Sequence, residues 1–131
     1  MTATEKLRYS DTDRQGHVNN AVFATFLETG RVEIIHREAL GDEGASFVIA
    51  RLELDFLAEV TWPGEVHIGT AVQEVGRSSF KLHQMIFQNG KPVARAVSVL
   101  VQMNNESRRS HPFAAETRAR LQKLISPAAG S

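Results

Sequence analysis

The sequence predicts an α+β fold in which an antiparallel sheet of about five strands wraps round one long helix. One helical stretch near the N-terminus follows a short strand and precedes four strand-like segments, which are mostly joined by short turns. A long helix with an apolar face must be covered, and a sheet of this size is the expected partner. The 131 residues suit one domain, 1–131, since no repeat, low-complexity tract or linker interrupts them.

The first elements follow from apolar spacing. A strand is predicted over 3–10, and a helix over 20–40, where apolar side chains recur at every third or fourth position. Asn19 is the expected N-cap of this helix and Gly41 its expected end. Gly30 lies inside the helix, where glycine costs about 1 kcal/mol relative to alanine. We therefore expect another backbone to approach the helix closely at Gly30.

The later elements follow from alternation and turn residues. Residues 48–58 alternate in the manner of a half-buried strand, with Val48, Leu52 and Phe56 on the same face. Strands are also predicted over 65–75, 79–88 and 92–103, with Asn89-Gly90 as a tight hairpin before the last of them. A short amphipathic helix is expected over 112–125, followed by a frayed tail over 126–131.

Composition argues against several classes of protein. Fifteen basic and fifteen acidic residues leave no net charge, so no bulk field attracts nucleic acid or an anionic membrane. There is no cysteine, and His36, His67, His83 and His111 lack the spacing of metal ligands, so no metal site is expected. The N-terminus has no apolar signal core, and no run approaches the roughly 18 residues that span a bilayer. A cytoplasmic location is therefore expected.

Chemistry is concentrated in the segment 9–20, YSDTDRQGHVNN. It brings the carboxylate of Asp13 to the N-terminus of the predicted helix, where backbone N–H groups lack intrahelical partners. A carboxylate can attack a thioester or ester carbonyl or activate water, and the helix N–H groups can hold the resulting oxyanion. Asp13 is therefore the candidate catalytic residue, with a turn or capping role as the alternative. Asp11 is expected to bond loop amides.

Other residues extend this motif along most of the chain. The pattern Tyr9-x-Asp11-x-Asp13-x-x-Gly-x-Val runs into a helix, and later pieces agree with it: Phe56, Pro63-Gly64-Glu65, the turn 76–80 and the hairpin Asn89-Gly90. Over about residues 5–113 the chain resembles the hotdog-fold acyl-CoA thioesterases of the 4-hydroxybenzoyl-CoA thioesterase type. The resemblance implies a hotdog fold, hydrolysis of an acyl-CoA or an acyl-carrier-protein thioester, and no cofactor. It also implies a homodimer or homotetramer with sites between subunits.

The same resemblance assigns catalytic roles. It places the catalytic carboxylate on Asp13 and the oxyanion-binding N–H at or near Asn20. In the plant-type acyl-carrier-protein thioesterases, which share part of this motif, a histidine is catalytic, and this role falls on His17. Those enzymes carry an asparagine two residues before the histidine, where this chain has Gln15. An ordinary loop histidine is the alternative interpretation of His17.

Substrate-binding residues are expected at two places. Arg77, Ser78 and Ser79 form a turn that is suited to the phosphates of coenzyme A, because a guanidinium and several hydroxyl and amide donors meet there. A plain solvated turn is the alternative. Phe23 and Phe56 are expected to border the acyl group at the interface between helix and sheet.

Two other function classes stay open at this point. A hotdog dehydratase or isomerase would pair a histidine with a carboxylate, and His17 is the available histidine. A non-catalytic acyl-CoA binding module would gain nothing from Asp13 beside an anionic ligand. Glu28 is a further candidate acid, although its spacing from Arg31 fits an ion pair at i,i+3 on the helix surface or at an interface.

Overall fold

The computed structural model describes residues 2–13, 17–18 and 20–125. The expected cap Asn19 and the expected tail 126–131 lie outside the described residues. The described elements are β1 (Thr2–Lys6), a 3-10 helix (Tyr9–Asp11), α1 (Asn20–Arg37), β2 (Ala45–Phe56), β3 (Glu65–Val75), β4 (Ser79–Gln88), β5 (Lys91–Asn104) and α2 (Ala115–Lys123). The strands form one antiparallel sheet in the order β1-β3-β4-β5-β2. This confirms the predicted combination of a five-stranded antiparallel sheet with a helix.

The helix α1 has 18 residues and packs on β1, β3 and β4. It ends at Arg37, before the predicted end, because Ala39 takes a left-handed φ of 48° and breaks the repeat. At Gly30 the expected close approach is found, but side chains make it rather than a backbone. A Cβ at this position would lie 2.6 Å from Nε2 of Gln84 and 2.7 Å from Oγ1 of Thr70. Within the described residues, no helix combines the length and apolar character that crossing a membrane requires.

The bounds predicted for β3 and β4 agree with the structure, and Asn89-Gly90 forms the predicted hairpin with φ of 54° and 76°. The first strand is shorter than predicted, because Tyr9–Asp11 winds into a 3-10 helix. The last helix, α2, is likewise shorter than the predicted 112–125.

The strand predicted over 48–58 is present as β2, but its predicted half-burial is wrong for the single chain. The strand β2 lies at an edge of the sheet, and Val48, Ile49, Leu52 and Phe56 are each 39–48% exposed. A bulge after Ile49 also shifts the alternation, so that Ile49, and not Val48, shares a face with Leu52. The strand stays exposed because α1 packs mainly on β1, β3 and β4 and leaves β2 largely uncovered.

A carboxylate in the loop between α1 and β2 ties α2 to the sheet. The side chain of Asp42 accepts hydrogen bonds from Oγ1 of Thr117 (2.6 Å), the N–H of Ala114 (3.0 Å) and Nε2 of Gln102 (3.1 Å). Burial raises the pKa of Asp42, but these bonds and the nearby His111 outweigh burial, so the pKa lies below its ordinary value. The charged form of Asp42 therefore stabilises the fold.

Candidate active site

The loop that carries Asp13 is held at both ends by backbone hydrogen bonds. Thr12 pairs with Val18 in an isolated bridge, and the N–H of Asp13 donates to the carbonyl of His17 at 2.8 Å. On the other side, the N–H of Val18 donates to the carbonyl of Val60 at 2.7 Å. Asp13 is therefore held against the segment that leads into β3.

The carboxylate of Asp13 has a defined place at this loop. Its Oδ1 accepts a hydrogen bond from the N–H of His17 at 3.2 Å, and the residue is exposed. This bond fits the turn role that the sequence offered as one alternative to catalysis. The two roles are compatible, because the same bond orients the carboxylate beside a cavity.

That cavity has a volume of about 620 Å³ and brings together most of the predicted site residues. Asp13, His17, Asn20, Phe23 and Phe56 all line it, together with Val18, Leu57, Ala58, Glu59 and Val60. The rings of Phe23 and Phe56 meet edge to face, with centroids 5.1 Å apart. The site therefore combines a carboxylate, a histidine, a helix N-terminus and an aromatic wall.

Asn20 supplies the helix N-terminus. It is the first residue of α1, so its N–H belongs to the first turn, where backbone donors lack intrahelical acceptors. No acidic residue lies in this first turn. The partial positive charge of the helix end is therefore not offset by a carboxylate of the helix itself.

Glu59 is a site residue that sequence reasoning missed. Its Oε2 lies 3.3 Å from Nε2 of His17, and both side chains line the cavity. A carboxylate at this distance restricts the orientation of the imidazole. No sequence motif includes Glu59. It lies shortly before the turn Trp62-Pro63-Gly64, and its distance along the chain from His17 follows no recognisable spacing.

Asp11 has the structural role that the sequence indicated. The side chain is buried, and its two oxygens accept hydrogen bonds from the N–H and the Nη2 of Arg8, each at 2.9 Å. Burial raises the pKa of Asp11, but the bonds and charge of Arg8 outweigh it and leave the pKa below its ordinary value. Asp11 therefore braces the 3-10 helix before the Asp13 loop.

The structure does not bring the turn of Arg77, Ser78 and Ser79 to the cavity of the same chain. This turn follows the C-terminal end of β3, whereas the cavity lies near the segment that enters its N-terminal end. Eleven strand residues separate the two ends by about 30 Å. The carbonyl of Arg77 accepts a hydrogen bond from the N–H of Phe113 at 2.9 Å, so the turn is anchored near α2.

The predicted ion pair of Glu28 and Arg31 takes a different form. Arg31 is only 7% exposed, and its Nη1 has no hydrogen-bond partner among the described residues. Burial lowers the pKa of Arg31, and the charge of Glu28 acts in the opposite direction. Arg31 therefore does not lie on the helix surface, and the interface alternative for this pair stays a prediction. Within the described ranges, no three His, Cys, Asp or Glu side chains cluster in a way that suits a metal ion.

Comparison with known proteins supports thioester hydrolysis as the activity of this chain. A family model, the Thioesterase-like superfamily, matches residues 7–121. "Uncharacterized protein YsmA" of Bacillus subtilis (strain 168) is 30% identical over 104 residues, which cover 77% of this chain and 71% of that protein.

Two solved structures are similar over nearly the whole chain. A predicted thioesterase from Bacillus stearothermophilus matches with a TM-score of 0.87 and 29% identity, over 95% of this chain and 96% of that one. A thioesterase from Thermus thermophilus, complexed with coenzyme A and Zn, matches with a TM-score of 0.83 and 31% identity, over 95% and 92%. These likenesses confirm the prediction of a thioester hydrolase. The match over residues 7–121 shows that the chain belongs to the Thioesterase-like superfamily.

Proposed function

We propose that this protein is an acyl-CoA thioesterase with one hotdog domain, of the 4-hydroxybenzoyl-CoA thioesterase type. It hydrolyses an acyl-thioester to the free acid and coenzyme A. The observation that carries the proposal is that Asp13 and Asn20, the first residue of α1, line the same cavity. The coenzyme A bound to the similar Thermus thioesterase supports coenzyme A as the carrier.

In this proposal Asp13 starts the reaction. Its carboxylate attacks the carbonyl carbon, or it removes a proton from a water that attacks the same carbon. The carbonyl oxygen becomes an oxyanion, which accepts a hydrogen bond from the N–H at the start of α1. Losing one such donor typically costs about 2.7–4 kcal/mol of transition-state stabilisation. The carbon–sulfur bond then breaks, and the departing thiolate takes up a proton. In the water route this step gives the free acid directly. In the nucleophilic route it leaves a mixed anhydride on Asp13, which a water then hydrolyses to the free acid and the restored carboxylate.

His17 is the proposed source of that proton, and Glu59 is the residue that positions it. The 3.3 Å separation of Nε2 and Oε2 orients the imidazole toward the carboxylate. A protonated imidazole beside the leaving sulfur is a suitable general acid. Glu59 acts only through His17.

The acyl group is proposed to lie along Phe23 and Phe56. The cavity volume of about 620 Å³ falls within the range of ordinary small-molecule sites. Its apolar wall favours an acyl group with an apolar body. Phe56 belongs to the exposed strand β2, so a second subunit on β2 would complete this wall.

We propose a homodimer, or a homotetramer built from it, in which a second copy covers β2. This strand has 12 residues, lies at the sheet edge, and exposes Ile49 and Leu52 on one face. A long exposed apolar edge strand invites pairing with another chain. Within one chain the turn of Arg77 does not reach the cavity. In an oligomer, the turn of one subunit can reach the cavity of another subunit.

The experiment that tests the proposed function is a screen for release of free thiol across a panel of acyl-CoA substrates. The panel contains short, medium, long and aromatic acyl groups. We expect hydrolysis of at least one substrate by the purified protein, with equal amounts of free acid and thiol. Absence of thiol release across the whole panel would reject the acyl-CoA thioesterase.

One observation favours a second candidate function. The pairing of His17 with Glu59 is the histidine–carboxylate arrangement that a hotdog dehydratase or isomerase uses on an acyl-carrier substrate. Such an enzyme changes the acyl chain and leaves the thioester intact. Mass spectrometry of the acyl-CoA after incubation distinguishes the two functions, because only the thioesterase releases free thiol.

A further inference from the structure

The protein's single tyrosine and single tryptophan lie against each other on the surface. The ring centroids of Tyr9 and Trp62 are 5.3 Å apart, and the ring planes meet at 86°. Tyr9 is 75% exposed and Trp62 is 41% exposed. Two large exposed aromatic side chains in contact form an apolar surface on which a ligand can bind.

Hydrogen bonds from other residues hold the backbone segments that carry the two rings. Gln88 binds the residue before Trp62 from both sides: its Oε1 accepts from the N–H of Thr61 at 3.2 Å, and its Nε2 donates to the carbonyl of Thr61 at 2.8 Å. The carbonyl of Gly64 accepts from the N–H of Leu7 at 2.9 Å. A rigid base of this kind reduces the entropy that a ligand must overcome on binding.

Tyr9 is held in a similar way. It begins the 3-10 helix that the buried Asp11 braces, and its carbonyl accepts hydrogen bonds from the N–H (3.1 Å) and the Oγ1 (2.6 Å) of Thr12. Thr12 directly precedes Asp13. The tyrosine ring therefore stands on the same short segment that carries the proposed catalytic carboxylate.

Residues close in the chain to Tyr9 and to Trp62 line the cavity, namely Asp13 on one segment and Val60 on the other. Thr61, which precedes Trp62, forms a backbone bridge with His17, and Val60 lines the cavity. A ligand whose reactive end lies in the cavity can therefore extend over the ring pair. A charged group is also close: the side chain of Arg8, the neighbour of Tyr9, is 72% exposed. Its hydrogen bond to Asp11 uses Nη2, and among the described residues no partner is found for the other donors of the guanidinium.

We propose that Tyr9 and Trp62 form a stacking site for the adenine ring of the coenzyme A carrier, with Arg8 beside it for the 3′-phosphate. This inference rests on the proposed function. An adenine ring is flat and apolar on its faces, and stacking on exposed aromatic side chains is a general mode of base recognition. The site lies in the same chain as Asp13 and does not require a second subunit. It takes the base and the 3′-phosphate, whereas the turn of Arg77 is proposed for the other phosphates of coenzyme A.

The single tryptophan makes a direct binding test possible, because all tryptophan fluorescence comes from Trp62. The protein is titrated with adenosine 3′,5′-bisphosphate, with coenzyme A and with pantetheine. We expect saturable quenching by the first two and no quenching by pantetheine, which lacks the base. Absence of saturable quenching by adenosine 3′,5′-bisphosphate would overturn the stacking site. Because this titration needs no turnover, it separates failure of the stacking site from failure of the thioesterase.

A second test uses the KM on matched substrates. In Trp62→Ala and Tyr9→Ala, we expect the KM for acyl-CoA to rise about 5-fold or more, as for loss of one stacked aromatic. The KM for the same acyl group on N-acetylcysteamine should not change, and Trp62→Phe should keep most of the affinity. Val32→Ala removes an exposed apolar side chain from α1 and serves as the control. Equal defects on both substrates, or a change of oligomeric state with unchanged KM, would overturn the proposal.

Discussion

Nε2 of His17 lies 3.3 Å from Oε2 of Glu59, and both side chains line the cavity beside Asp13. His17 and Glu59 are far apart in the sequence, and the backbone bridge of His17 with Thr61 brings them together. If Glu59 acts through His17, removing either side chain removes the same function. The two residues should therefore be coupled in a double-mutant cycle.

We predict that His17→Gln and Glu59→Gln each lower turnover, with the larger loss in His17→Gln. The double variant should be no slower than His17→Gln alone, because Glu59 has no other role in the reaction. Steady-state kinetics of the two single variants and of the double variant test this prediction. Fully additive losses would show that the two residues act independently.

Asp13→Asn should lower turnover on the best thioester by at least about 100-fold, the general range for loss of a positioned acid–base group. The fold should be retained, since the amide oxygen of the new side chain can still accept the N–H of His17. Asp11→Asn is the matched comparison. It should lower the melting temperature, because Asp11 is buried against Arg8, and the folded fraction should keep its turnover. Wild-type turnover in purified Asp13→Asn would reject the mechanism.

Asp42→Asn should lower the free energy of unfolding by about 1–3 kcal/mol at neutral pH, because hydrogen bonds to a partly buried charged group are lost. The pKa of Asp42 is lowered in the folded protein, so its contribution is complete above its ordinary value of 3.8 and is lost as pH falls below that value. Denaturant unfolding at a series of pH values from neutral to about 3 should therefore show the two proteins converging toward acid.

The control for Asp42 is Glu33→Gln, which breaks an exposed ion pair with Arg37 (3.1 Å) on α1. An exposed pair contributes little, about 0.3–0.5 kcal/mol on a helix. A stability difference between wild type and Asp42→Asn that stayed constant from neutral pH into acid would contradict the assigned role of the carboxylate.

Leu52→Lys should convert the oligomer to a monomer and abolish most activity. It places a charge on the exposed face of β2, where a lysine on an edge strand opposes pairing with another chain. Val32→Lys, which places the same charge on the exposed side of α1, should leave the oligomer intact. Light scattering at micromolar concentration tests both variants. An active wild-type monomer would contradict the proposed assembly.

Arg77→Ala should raise the KM for acyl-CoA and leave kcat nearly unchanged, which is the signature of lost uniform binding. A thioester of N-acetylcysteamine should be hydrolysed equally by both proteins. Because Arg77 reaches a cavity only from another subunit in the proposed assembly, mixed oligomers of Asp13→Asn and Arg77→Ala subunits should regain low-KM sites. If mixing restores nothing, Arg77 does not serve a site across the subunit boundary.

Local patterns predicted the elements well. The bounds of β3 and β4 and the hairpin at Asn89-Gly90 follow from alternation and turn chemistry, which depend on neighbouring residues only. The position of Asp13 just before a helix start is likewise a local property. For this reason the sequence by itself indicated the α+β fold and the carboxylate beside a helix N-terminus.

Contacts between distant residues were decided only by the tertiary structure. The sheet order β1-β3-β4-β5-β2 leaves β2 at an edge, so the predicted burial of this strand was wrong. The bulge after Ile49 puts Ile49, and not Val48, on the same face as Leu52. The same topology brings Glu59 to His17 and separates Arg77 from Asp13 by the length of β3. Periodicity specifies which face of an element is apolar. Which element covers that face depends on the pairing of strands that are distant in the sequence, and no local pattern predicts this pairing.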